Sequence, residues 1–105
     1  MFSLFCFVPV PALYDYGDVE GVLSRYEKEE RCGKVAFIMC SDEFENHFKG
    51  KNLLLLGKDE RQIAASLYDK LLEGEKKADI IIAMAMPDES GIYLGVMNRL
   101  RKSCG

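Results

Sequence analysis

The chain has 105 residues, 49% of them hydrophobic and 30% charged, which suits one soluble globular domain with its own core and not a disordered segment. Lys plus Arg number 14 and Asp plus Glu 17, a net charge of −3, which is the wrong balance for a protein that works by coating phosphates. The length excludes a catalytic domain with a separate specificity domain beside it.

The opening run, Met1–Val8, is apolar. It lacks a positively charged leader, is followed by Pro9 and Pro11, and is too short to span a bilayer, so neither a signal peptide nor a membrane anchor is expected. Residues 1–11 read as a linker remnant or an added strand ahead of the domain. The side chains of Phe2, Leu4, Phe5, Phe7 and Val8 would pack on the chain's own sheet or pair the edges of a homodimer.

Ala12–Tyr16 reads as a short strand, broken by Gly17. Asp18 is placed to cap a helix whose face is Val19, Val22, Leu23 and Tyr26, and which stops at Gly33. Lys34–Cys40 is a continuous apolar run, predicted to be a strand covered on both faces. Ser41–Phe48 predicts one or two helical turns with Phe44 and Phe48 on one side, and Asn52–Leu56 a third strand that Gly57 breaks. Asp59 with Gln62 makes a capping box for the clearest helix. Its core stripe is Ile63, Leu67 and Leu71, with Ala64, Tyr68 and Leu72 beside it and Gly74 as its end. Ala78–Met86 is another buried strand and Pro87–Gly91 a loop. The last helix covers Ile92–Ser103, with apolar positions at Leu94, Met97 and Leu100.

Strands and helices alternate throughout. That order predicts an α/β fold, a Rossmann-like three-layer sandwich around a mainly parallel four-stranded sheet. Right-handed crossovers favour a central first strand and the order 3-2-1-4. No repeat or internal linker divides the chain, so residues 1–105 read as a single domain.

Ligands of such sheets bind at the carboxyl ends of the strands. The candidate ligand-site loops are therefore those holding Ser41, Gly57, Asp88 and Glu89. The turn Tyr16–Gly21 does not match GxGxxG, and Asp18 and Glu20 would repel a pyrophosphate. The cysteines are Cys6, Cys32, Cys40 and Cys104, with no CxxC pair, and His47 is the only histidine. No zinc spacing results, and the thiols read as reduced and mostly buried, as in a cytosolic protein. A catalytic Cys40–His47 pair would need contact that the spacing does not enforce, so Cys40 reads as a buried thiol and His47 as an exposed imidazole. Asp88 and Glu89 suit acid–base chemistry, or simply a loop ahead of a helix N-terminus, where acids are favoured. Arg101 and Lys102 complement the dipole of the last helix, and Asn98 is expected to hydrogen-bond a loop at the sheet edge. RNA contact through Arg99, Arg101 and Lys102 is disfavoured by the net acidity and the lack of a basic stripe with interleaved aromatics.

The string from Gly91 to Lys102, following a buried strand and a helix with Leu67-Tyr68, resembles the C-terminal domain of threonylcarbamoyl-AMP synthases. In longer members of that family this domain follows a YrdC-type catalytic domain. The family pattern joins a helix with A…LY..LR to an acidic residue before an apolar strand and then to GLG.A.MNRL.KA. Ala64 or Ala65, Leu67, Tyr68 and Leu71 match the helix, and Asp79 precedes Ile80–Ile82. Gly91, Met97, Asn98, Arg99, Leu100 and Lys102 match the end, and Pro11–Tyr14 and Gly33–Val35 are similar to the first two strands. Tyr93 replaces the second glycine of GLG, Gly95 stands where the pattern has alanine, and Phe2–Val8 does not match the family's linker motif.

The resemblance implies a non-catalytic, cytoplasmic accessory or docking domain in tRNA threonylcarbamoyladenosine biosynthesis. It implies a YrdC-type catalytic domain as partner, in cis or in trans, met through the sheet edge and the last helix. ATP, threonine and bicarbonate would belong to that catalytic domain, so no catalytic residue, metal or cofactor carries over to this chain. The alternative is a stand-alone small-ligand or nucleotide-binding module that uses the strand-end loops.

Overall fold

A computed structural model describes residues 12–104. The expectations for residues 1–11, including the apolar run and Cys6, lie outside the described residues, as do the side chains of Ser103 and Cys104. The elements are β1 (Ala12–Tyr14), α1 (Val19–Arg31), β2 (Ala36–Cys40), a 3-10 helix (Asp42–Phe48), β3 (Leu53–Leu55), α2 (Glu60–Lys77), β4 (Ile80–Met84) and α3 (Ile92–Cys104). This is the alternation read from the sequence.

All three strand pairings are parallel, and the sheet order is β1-β4-β2-β3. The expected order 3-2-1-4 is therefore corrected: β4 lies between β2 and β1, and among the described residues the first strand is an edge. The physical reason is burial. All five residues of β4 (IIIAM) are buried, so it needs cover on both sides. β1 has only three residues, of which only Ala12 is buried.

The central strands split their side chains between two cores, which explains their unbroken apolar runs. Ile80, Ile82 and Met84 join Val22 and Tyr26 of α1 and Phe44 and Phe48 of the 3-10 helix. Ile81 and Ala83 join Ile63, Leu67 and Leu71 of α2 and Val96, Met97 and Leu100 of α3. The result is three layers, with α2 and α3 together on one face.

Local chemistry sets the helix starts. The Asp18 carboxylate accepts from the Gly21 N–H at 3.0 Å, and the Asp59 carboxylate from the Gln62 N–H at 2.9 Å. Gln62 reaches back to the Lys58 N–H at 2.8 Å, one residue earlier than a capping box would place it. Three expectations fail. Gly74 does not end α2, which continues to Lys77; it is buried inside the helix because a Cβ there would lie 2.4 Å from Cδ1 of Ile81. Ala64, Tyr68 and Leu72 all turn outward from the core stripe. Leu94 is exposed, because it lies two residues, about 200° of helix rotation, from the buried Val96.

Asp79, the acid before β4, clamps the sheet start. Its carboxylate accepts from the Val35 N–H at 2.9 Å, and its own N–H donates to the Val35 carbonyl at 2.8 Å. Among the described residues no helix is long and apolar enough to cross a membrane.

Candidate functional site

The carboxyl ends of the four strands bring the loop of Tyr16 beside those of Ser41 and Gly57. The Asp42 N–H donates to the Gly57 carbonyl at 2.9 Å, and the Gly57 N–H returns a bond to Asp42 Oδ1 at 3.1 Å. The Ser41 hydroxyl, on a buried residue, donates to Glu43 Oε1 at 3.3 Å, and the Tyr16 hydroxyl donates to the same oxygen at 2.7 Å. The Tyr16 ring meets Phe44 edge-on, with centroids 5.3 Å apart. Gly57 has φ +138°, and a Cβ there would stand 2.6 Å from Cβ of Gln62. Its N–H faces a carboxylate, so Gly57 joins the two loops.

The electrostatics of this end are acidic. The hydrogen bond to Glu43, then burial, push the Tyr16 hydroxyl up to about 12. Burial raises Tyr93, and the charges of Glu60, Asp88, Glu43 and Asp59 raise it further. Asp88 accepts from the Ser90 N–H at 3.0 Å and its hydroxyl at 2.8 Å, which hold its carboxyl below the usual range. Glu89 is held low by its hydrogen-bonded ion pair with Arg101. Both acids are thus ionised turn and helix-end groups. Neither is a poised proton donor.

Cys40 is buried, and desolvation followed by the charges of Asp42 and Glu45 pushes its thiol up to about 12. His47 is exposed and lies against the Phe44 ring at 5.8 Å. Such a thiol is a poor nucleophile. Cys32, in contrast, is exposed. Among the described residues no group of three or more His, Cys, Asp or Glu side chains is arranged to hold a metal.

The motif of α3 divides between core and surface. Gly91 precedes the helix with φ +57°, and its carbonyl accepts from the Leu94 N–H at 3.2 Å. Met97 and Leu100 are buried, and Met97 Sδ accepts from the Met86 N–H at 3.3 Å, tying α3 to the end of β4. Asn98, Arg99 and Lys102 are exposed. The bond expected from Asn98 to a sheet-edge loop is not made among the described residues, because the helix phase points Asn98 to solvent. Arg99 lies over the Tyr68 ring, 5.8 Å from its centroid. Beside that pair a groove of about 170 Å³ runs between α2 and α3. Ala64, Leu67 and Tyr68 line one side, and Ile92, Gly95, Val96 and Arg99 the other. Sequence reasoning did not single out Glu43 or this groove, and it met Tyr16 only in the turn Tyr16–Gly21 and Tyr93 only as a departure from GLG. Tyr68 and Arg99 both lie in the strings that carry the family resemblance, but their contact joins two helices.

The sequence matches the family model for the threonylcarbamoyl-AMP synthase C-terminal domain over residues 12–105. A search of curated protein sequences finds no match. Among solved structures, the chain is similar to the crystal structure of P. abyssi Sua5 complexed with L-threonine. The identity is 25% and the TM-score 0.77, over 92% of this chain and 28% of that one. It is also similar to a doubly alanine-substituted P. abyssi Sua5, at 26% identity and a TM-score of 0.76, over 91% of this chain and 27% of that one. The chain therefore spans little more than a quarter of the length of those proteins.

Proposed function

Because the chain belongs to the threonylcarbamoyl-AMP synthase C-terminal domain family, we propose that it is a non-catalytic accessory and docking domain for threonylcarbamoyladenosine synthesis on tRNA. Its partner is a YrdC-type catalytic domain, in cis or in trans. ATP, threonine and bicarbonate bind to that partner, and this chain carries no cofactor of its own. The observation behind this reading is the state of the strand ends, where this fold class takes its ligands. Ser41 bonds Glu43, Asp42 bonds Gly57, and burial, then the charges of Glu60, Asp88, Glu43 and Asp59, raise the Tyr93 hydroxyl above its ordinary value. A triphosphate brought there would meet like charge and donors already in use. Arg101, a basic group near that end, is paired with Glu89.

The test is an assay of the purified chain with ATP, threonine and bicarbonate. No pyrophosphate release above background is expected, while a purified YrdC-type catalytic domain should bind the chain in sedimentation. Adenylate made by the chain alone would overturn the non-catalytic role. A rise in Tm with millimolar ATP would favour the stand-alone nucleotide-binding module instead.

A further inference from the structure

The α2–α3 surface carries an unusual share of exposed apolar groups. Of the six large hydrophobic side chains exposed among the described residues, four (Tyr68, Leu72, Ile92 and Leu94) stand on these two helices. Tyr68 is 58% exposed. The groove of about 170 Å³ beside it is lined by Ala64, Leu67 and Val96, of which Leu67 and Val96 are buried. A cavity of about 150 Å³ with aliphatic and aromatic walls accepts a benzene ring, so this groove is the size of one apolar side chain. Gly95 keeps it open. A glycine within a helix weakens it, and the fold does not demand one at this position. Gly95 is not among the glycines with positive φ, and a Cβ there would meet nothing within 4 Å. Gly74, in contrast, is required by Ile81 and Leu54.

We propose that this groove receives one leucine, methionine or phenylalanine side chain from the portion of a synthase that the present chain does not span. The inference rests on the docking role proposed above and names the face that performs it. The matched P. abyssi chains carry more than two thirds of their length outside the region of similarity. The family is a C-terminal domain, so that length precedes it, and the match starts at residue 12, the first of β1. β1 is an edge strand, and α3 packs against it. The first residue of the match, Ala12, thus opens a strand packed on the same helix that forms one wall of the groove. One anchor side chain held between Tyr68 and Gly95 would have the form of an interface hot spot: an aromatic wall, a desolvated pocket and a polar rim at Arg99.

The test is calorimetric titration of the purified YrdC-type catalytic domain into the wild-type chain and into Gly95→Leu, Tyr68→Ala and Val35→Ser. Gly95→Leu fills the groove and strengthens the helix, so its Tm should equal or exceed that of the wild type. Gly95→Leu and Tyr68→Ala are each expected to weaken binding by about 30-fold. Val35→Ser, at an exposed position just ahead of β2 and outside the groove, should leave it unchanged. If the wild type binds and Gly95→Leu binds equally well, the groove is not the docking site, while the docking role stands. If the wild type does not bind, the docking role fails and this inference with it. If the chain self-associates in sedimentation and Gly95→Leu abolishes that, the occupant is a second copy, and the proposal is overturned.

Discussion

Gly57 shows how one residue can read as a ligand position and serve as a joint. A glycine just past a buried strand suits a phosphate-binding turn, and that pattern is visible in the sequence. What the residue does depends on Asp42, whose carboxylate takes the Gly57 N–H, and on Gln62, whose Cβ leaves no room for a side chain. Gly57→Ala would combine a φ of +138° with a 2.6 Å contact. It is expected to lower stability by about 1–3 kcal/mol, read as a lower urea midpoint. An unchanged midpoint would show that the loop is not held in this way. Cys40 and His47 were legible from the sequence, because an apolar run with a charged flank separates buried from exposed positions locally. Asp88 and Glu89 were not, because their partners Ser90 and Arg101 decide between acid–base and structural roles.

At the scale of elements, the starts were easier to read than the ends. Asp59 caps α2 within three residues, a local event that the sequence displays in full. Asp59→Ala is expected to cost about 1 kcal/mol, while Asp59→Asn should keep most of that stability. For a domain of this size that is a fall in Tm of roughly 4–8 °C, and equal melting of the two variants would remove the capping role. The end of α2 was misread because a glycine after an apolar run usually stops a helix. Here the helix continues, and Gly74 lets it settle onto Ile81 and Leu54. The outward turn of Leu94 has a similar origin. Several phases of α3 place apolar residues on one side, and packing against α2 and β1 selects the phase that buries Val96, Met97 and Leu100.

At the scale of the whole molecule, the sheet order sets both stability and surface. β4 is paired on both sides and buried at all five positions, while β1 is a three-residue edge. Amide hydrogen exchange is therefore expected to be slowest in β4 and faster in β1. Equal protection in the two strands would contradict the central place of β4. The same order puts β1 under α3 and leaves α2 and α3 together on one outer face. The sequence by itself determined the alternation of elements, the helix caps, the two-sided burial of β2 and β4 and the family, because periodicity, caps and motifs are properties of neighbouring residues. Only the tertiary structure decided the strand order, the closure of the strand ends by their own hydrogen bonds and the groove beside Gly95. Those depend on which surfaces meet across 15 to 70 residues of chain, and burial of the most apolar strand, not chain order, selects among the arrangements that local pattern allows.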